Sequence, residues 1–290
     1  VDDRGAVWVG HFQAGLDYSL YQNGLFRTYA YPPLFNSANL SIRSFISRGQ
    51  EKVIGSRDGL FYINEATGMV KSFVKPVLTS DLILTISFYQ GEYYIGTYGG
   101  GMMVLNPETL SLKYFSQSDT ELFQKGHIFC VKPDTKGNLW IGTSQGLFNY
   151  NGQTKQIKHF TSANSQLLEG NVYEVSFDST GKGWIATETG MCIYDPASQN
   201  LRSNVFPEGF VNKDKVRTIY EDSEHNLYFI REKGSLFTST LTMDRFYNQS
   251  VFSTLPDNSL MAIVEDNQGW LWVGCNDGLL RIKKEGEEYD

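Results

Sequence analysis

The chain has 290 residues, 41% of them hydrophobic, which supports a sizeable core, and its 28 glycines against 8 prolines suit many tight turns. A formal charge of -7 without any basic run excludes a surface that grips nucleic-acid phosphates by charge. No apolar run reaches the length of a membrane span.

In chain order, a triplet built as aromatic, aliphatic and small residue returns in altered form: Trp8-Val9-Gly10, Val53-Ile54-Gly55, Tyr94-Ile95-Gly96, Trp140-Ile141-Gly142, Trp184-Ile185-Ala186, Tyr228-Phe229-Ile230 and Trp272-Val273-Gly274. The third residues lie 45, 41, 46, 44, 44 and 44 positions apart, a period that belongs to propeller-type arrays. The fourth copy shows the unit most clearly. Ile128-Phe129-Cys130-Val131 is a short apolar strand, and Pro133 to Asn138 has the residues of a tight turn. Leu139 to Thr143, Gly146 to Tyr150 and Gln156 to Phe160 are three further strands, rich in β-branched or aromatic side chains. One repeat therefore predicts one four-stranded antiparallel meander.

Repeats at about 1–40, 41–81, 82–126, 127–170, 171–214, 215–258 and 259–290 predict a single domain over 1–290. It is all-β, a seven-bladed β-propeller of four-stranded antiparallel blades. The terminal blades are incomplete: three strands are legible in the first repeat, four in each of the next five and three in the last. Gly10, Gly55, Gly96, Gly142 and Gly274 are costly within strands and are expected to mark close packing against the next blade. Trp8, Trp140, Trp184 and Trp272 are expected to fill the space between blades. Ala186 keeps the small size and Ile230 does not, so the sixth blade is the irregular one.

The first strands align from Ile42, Ile83, Ile128, Val172, Val216 and Leu260, with a mostly small third residue and an apolar fourth. Strict alternation would put the first and third residues on one face and the second and fourth on the other. The opening residues up to Trp8 match the middle of a repeat, so the chain is expected to be a segment of a longer one, and a missing signal peptide carries no information. Cys130, Cys192 and Cys275 occupy unrelated repeat positions and predict buried thiols rather than a disulfide framework.

The run Asp-x-x-Gly-x-Leu-Trp-Ile-Gly-Thr-x-x-Gly-Leu, clearest from Asp134 to Leu147 and from Asp266 to Leu279, resembles the two-component regulator propeller repeat. The likeness runs over essentially the whole chain. It implies the periplasmic sensor region of a Bacteroides-type hybrid two-component system, in which two seven-bladed propellers and a β-sandwich domain precede a membrane helix and a histidine kinase. Such receptors detect glycan breakdown products and control polysaccharide utilisation. By that resemblance the partners are an oligosaccharide, the second propeller and the β-sandwich of a membrane-anchored parent, and a homodimer. Direct nucleic-acid contact and cofactors are not implied. The repeat consensus is structural and transfers no binding residue.

Recognition is expected where the copies disagree, in the loop after the second strand of each repeat. The candidate ligand-binding residues there are His11, Arg57, Asp58, Tyr98, Gln145, Glu188, Arg231, Glu232, Asn276 and Asp277. Aromatic faces together with guanidinium, carboxylate and amide groups suit the stacking and hydrogen bonding that a sugar requires. The aromatic segment from Tyr29 to Asn36 is expected to cover a blade edge.

Two alternatives stand beside the sensor. One is a protein-docking or dimerisation scaffold. The other is a propeller lyase or hydrolase, for which Trp184-Ile185-Ala186-Thr187-Glu188 loosely resembles the streptogramin lyase motif and Glu188, His11 and His127 are the candidate group. The four histidines, at 11, 127, 159 and 225, fall at different blade positions and make no zinc set, so no metal is expected.

Overall fold

A computed structural model describes residues 1–3, 5–10, 16–19, 26–28, 41–115, 122–203, 214–231, 236–241, 246–248, 260–275, 278–282, 284–285 and 288–289. The fold is all-β, with seven antiparallel sheets of the β-propeller type, four-stranded except for three strands in the first and last. The chain separates into two compact units, Val1–Pro133, Gly137–Ser144 and Tyr150–Ile157 in one, and 134–136, 145–149 and Lys158–Asp290 in the other.

The first unit holds blade 1 (Val7–Gly10, Leu16–Ser19, Phe26–Thr28), blade 2 (Ile42–Arg48, Glu51–Ser56, Leu60–Asn64, Met69–Phe73) and blade 3 (Ile83–Tyr89, Glu92–Thr97, Met102–Leu105, Leu112–Tyr114). Blade 4 (Ile128–Pro133, Asn138–Thr143, Gly146–Asn151, Ile157–Phe160) is where the units divide. The second unit holds blade 5 (Val172–Phe177, Gly183–Thr187, Gly190–Asp195, Asn200–Arg202), blade 6 (Val216–Glu221, Asn226–Arg231, Leu236–Thr240, Phe246–Asn248) and blade 7 (Leu260–Glu265, Leu271–Cys275, Gly278–Ile282). Among the described residues, blade 1 thus lacks the first strand of the repeat and blade 7 the fourth, as the motif count predicts. A four-residue helix, Leu122–Lys125, and a hairpin of two-residue strands, Lys284–Glu285 and Glu288–Tyr289, are additions that the repeat does not announce.

The glycine of the triplet answers to its neighbour in space. A Cβ at Gly10, Gly55 or Gly96 would fall 2.9, 2.5 or 2.7 Å from the Cγ2 of Ile42, Ile83 or Ile128, the residue that opens the first strand of the next blade. Only a bare backbone lets that isoleucine settle, and Ile83 and Ile128 are fully buried there. Gly274 departs from this expectation: nothing lies within 4 Å of its Cβ position, because among the described residues no further first strand packs on the last blade. In blade 6, Ile230 replaces the glycine and is itself fully buried in a cluster with Leu236, Leu260 and Val273. The blade fills the gap with a side chain in place of a close backbone approach.

The aromatic of the triplet is held by a residue six positions earlier. The indole N–H of Trp8, Trp184 and Trp272 donates to Asp2, Asp178 and Asp266 at 2.9, 2.8 and 2.8 Å, and the Tyr228 hydroxyl donates to Asp222 at 2.9 Å. The other oxygen of each carboxylate closes the turn, as when Asp178 accepts from the N–H groups of Thr180 and Lys182. One side chain thereby satisfies a buried indole and a hairpin turn together. Trp184 is buried and packs 5.7 Å from Phe229, and Trp140 is equally enclosed. Trp8 is sandwiched between Tyr18 and Phe45, while Trp272 stays half-buried beside Arg281.

The first strands do not alternate strictly. In all six, the ladder slips between the first and third residues, so Arg43, Leu84, Phe129, Tyr173, Arg217 and Met261 are each an extra residue opposite the second strand. A bulge of this kind moves the inward face by one position. The first and fourth residues become the more deeply buried ones, as in Val172 and Val175 or Val216 and Ile219, and the expected pairing of first with third is overturned. The bulged residue is turned out of the ladder. The three cysteines form no disulfide; Cys130 and Cys192 are buried as expected, Cys275 is only half-buried, and burial pushes the Cys192 thiol up to about 12.

Candidate functional site

The loop after the second strand is built the same way in blade after blade. Its first residue donates its N–H to the carbonyl of the residue that precedes the first strand. Arg57 pairs with Ser41 at 2.9 Å, Tyr98 with Leu82 at 2.9 Å, Ser144 with His127 at 3.2 Å and Glu188 with Asn171 at 2.9 Å. The hydroxyl residue that ends the second strand closes the loop from beneath: Ser56, Thr97 and Thr187 donate to the carbonyls of Gly59, Gly101 and Gly190 at 3.0, 2.9 and 2.9 Å. These three hydroxyl residues are fully buried. The variable residue therefore sits on a frame of backbone and buried hydroxyls, beside two further side chains, the pre-strand residue and the bulged residue.

In the first unit the loop of blade 3 meets the pre-strand and bulged residues of blade 4 in an aromatic group. The half-exposed Tyr98 ring stacks on His127 with centroids 4.0 Å apart, and the bulged Phe129 lies 6.2 Å from the imidazole. His127 Nδ1 is buried and makes no hydrogen bond. Gly99, Gly100 and Gly101 follow Tyr98, and a Cβ on Gly101 would stand 2.0 Å from the Phe123 carbonyl oxygen. The short helix can dock there only because that position, at φ +71°, is glycine. Arg57 and Asp58, in the corresponding loop of blade 2, are exposed.

In the second unit the same positions make a hydrogen-bonded network. The Tyr173 hydroxyl donates to the Glu188 carboxylate, Asn171 donates to both at 3.0 and 3.2 Å, and Lys215 lies 3.6 Å from Glu188 and 4.2 Å from the Tyr173 ring centre. The Tyr173 hydrogen bond, with help from the Lys215 charge, holds the Glu188 carboxyl below the usual carboxylate range against the opposing effect of burial. Gly170 makes room for this carboxylate, since a Cβ there would fall 2.6 Å from the Glu188 Cβ. Arg231 is buried and paired with Asp214, which commits its charge within the protein. Gln145 offers its carbonyl to His159 Nε2 at 2.8 Å and leaves its side chain exposed.

His11, Glu232, Asn276 and Asp277, like the segment 29–36, lie outside the described residues. Among the described residues, no group of three or more His, Cys, Asp or Glu side chains could hold a metal ion. One cluster carries the residue types of a hydrolytic relay. Ser179 Oγ and Glu221 Oε1 approach His225 at 3.1 and 2.7 Å, but both meet the same nitrogen, Nδ1, and Ser179 also donates directly to Glu221. A relay needs its partners on different ring nitrogens. This cluster is instead a tie between the turn of blade 5 and the first strand of blade 6, and Ser223 repeats the Ser179 tie by donating to Glu265.

Apart from His127, which the sequence reading named beside Glu188 and His11, the pre-strand and bulged residues are the site members that motif reading misses. Their signal was present: Ser41, Leu82, His127, Asn171 and Lys215, and Arg43, Leu84, Phe129, Tyr173, Arg217 and Met261, vary as freely as the loops do.

Residues 123–145 and 254–277 match the two component regulator propeller family, two repeat-length segments of the chain. No curated protein matches the sequence. Among solved structures, the chain is similar to two extracellular domains of proteins described as hybrid two component systems of B. thetaiotaomicron. For one the identity is 16% and the TM-score 0.75, and for the other 21% and 0.61. Each likeness covers 99% of this chain, but only 38% and 44% of the respective extracellular domains. The YCF48 protein, solved bound to D1 peptide, is similar at 14% identity and a TM-score of 0.74, covering 99% of this chain and 91% of that one. No helix among the described residues is long and apolar enough to cross a membrane.

Proposed function

We propose that this propeller is a noncatalytic, extracytoplasmic ligand-binding domain of a membrane-anchored hybrid histidine kinase, and that it recognises saccharide fragments released from glycans. The observation that carries this reading is the stapled loop. In four blades the first residue of the variable loop is tied by its backbone N–H to the carbonyl of the residue before the first strand, and Tyr98 of blade 3, tied in this way to Leu82, stays half-exposed and stacks on His127, which precedes the first strand of blade 4. Such a ring offers a flat apolar face to the C–H side of a sugar, while neighbouring amide, hydroxyl and charged groups serve its hydroxyls. The repeat family and the fold shared with extracellular domains of hybrid two component systems support the cellular setting. Binding would signal by favouring one of two arrangements of the parent receptor, which requires unequal affinity for the two.

A second reading, a protein-docking propeller, draws on the similarity to YCF48 with its bound peptide. Screening the 290-residue chain against oligosaccharides by calorimetry, with product analysis of every mixture, separates the readings. Binding without turnover is expected. Turnover of any fragment would overturn the noncatalytic reading, and silence across the panel together with peptide binding would favour docking.

A further inference from the structure

We infer that the second unit carries an additional site, selective for a saccharide unit bearing a carboxylate or sulfate, in the cavity of about 570 Å³ between the fourth strands of blades 4 and 5. The inference rests on the saccharide reading above and names a ligand class that the stapled loops do not specify. In a chain with 32 acidic and 25 basic residues, this cavity is lined by Lys158, His159 and Arg202, by the amides of Asn164, Gln166 and Asn200 and, among the described residues, by no carboxylate. Local charge thus runs opposite to the charge of the whole chain, which favours an anion.

The lining is built rather than incidental. The imidazole of His159 lies flat on Phe148, with centroids 3.9 Å apart and planes 7° from parallel, and its Nε2 donates to the Gln145 carbonyl at 2.8 Å. Asn164 is fixed on both ends of its amide, accepting from Thr161 N–H at 2.8 Å and donating to the His159 carbonyl at 3.0 Å. The Lys158 ammonium lies 4.6 Å from the Phe160 ring centre, which holds its stem along the strand. Asp195, paired with Asn200 in the ladder, is the acid whose charge meets Arg202, and its oxygens accept from Ala197 N–H at 2.8 Å and Ser198 Oγ at 3.1 Å. Buried Phe160 and Leu201 form the floor.

A bare ion would need only the cations. The two strands that bound the cavity are each the last in their sheet, and the amides of Gln166 and Asn200 line it beside them, while Asn164 is held by Thr161 and His159. Donors and acceptors alternating around a cationic patch suit the hydroxyls of a sugar and its acidic substituent together.

The test titrates the 290-residue chain with a sulfated, uronate-containing disaccharide, with its desulfated and carboxyl-reduced counterpart, and with inorganic sulfate. The charged disaccharide should bind at least about tenfold more tightly than either control. The Lys158→Gln/Arg202→Gln double variant should lose about tenfold or more of that affinity with its thermal unfolding unchanged, and Lys158→Arg/Arg202→Lys should restore most of it. Equal binding of charged and neutral disaccharides, or an unaffected double variant, would overturn the inference and leave the saccharide reading standing. Sulfate binding as tightly as the disaccharide would reduce the cavity to a simple anion site, and failure of every sugar would remove the saccharide reading itself.

Discussion

In the first unit, Tyr98 lies over His127 and shows half of its surface to solvent, with an unbonded imidazole nitrogen beneath it. In the second unit, Tyr173 occupies a bulge and points its hydroxyl at Glu188, which also receives Asn171 and faces Lys215. Tyr98 and Glu188 occupy the same place in the repeat, each over the same backbone staple, but Tyr98 meets side chains of the next blade, whereas Glu188 meets Asn171 and Tyr173 of its own blade as well as Lys215 of the next. One is assembled by packing and leaves an apolar face exposed; the other spends its polar groups on one another. A repeat that holds the frame constant can therefore vary chemistry from blade to blade, provided that the frame itself does not move.

The largest effect should come from breaking that frame. Trp184→Ala removes a buried indole, its bond to Asp178 and its contact with Phe229, and should destabilise the protein by about 3–5 kcal/mol in denaturant unfolding. Tyr98→Ala should behave in the opposite manner, weakening saccharide binding about tenfold or more by calorimetry while shifting stability by less than about 0.5 kcal/mol. If the two substitutions cost the same stability, the separation of frame from surface is wrong.

The polar network answers to pH, and the sign follows from Glu188. Its folded-state pKa is lowered, chiefly by Tyr173, so its contribution is complete above the ordinary carboxylate pKa and is lost as pH falls through the lowered value. At neutral pH, Glu188→Gln should cost about 0.5–1 kcal/mol, a figure kept small because the side chain is partly exposed. The gap between variant and parent should close in acid. A gap that stays constant with pH would show that the carboxylate is held by shape alone.

The smallest effect lies on the turn. His225 sits at φ +66°, where the equivalent turns carry Gly5, Gly137, Gly181 and Gly269 at φ values between 76° and 84°. His225→Gly should relieve this conformation and gain about 0.5 kcal/mol, offset in part by the freer unfolded chain and the lost contact with Glu221. Loss of stability would mean that the imidazole tie between blades outweighs the backbone conformation.

Much of this was legible in the residues. The triplet spacing located all seven blades and the two three-stranded ones, because the close approach of Ile42, Ile83 and Ile128 demands a residue without a side chain at Gly10, Gly55 and Gly96. The loops after the second strand were equally visible as the places where copies differ. The bulges were not, since a run such as Val172-Tyr173-Glu174-Val175 fits strict alternation or a slipped ladder equally well, and only pairing with Ala186 and Ile185 decides. That slip is what brings Tyr173 to Glu188. The tie from Asp178 to Trp184 could have been found, because an Asp six residues before the triplet aromatic recurs at Asp2, Asp134, Asp178, Asp222 and Asp266. The charge cluster at Lys158 and Arg202 could not, because the two residues lie on the outer strands of different blades, where the repeat places no constraint.

The central claim, that ligand recognition sits on the stapled loops and not on the structural turns, is met most directly by amide chemical-shift mapping during titration with neutral oligosaccharides. The account predicts shifts centred on Ser41 to Arg43, Arg57, Tyr98, His127 to Phe129, Asn171 to Tyr173 and Glu188. Shifts confined to the turns that follow Asp2, Asp178, Asp222 and Asp266, with the loops silent, would contradict it.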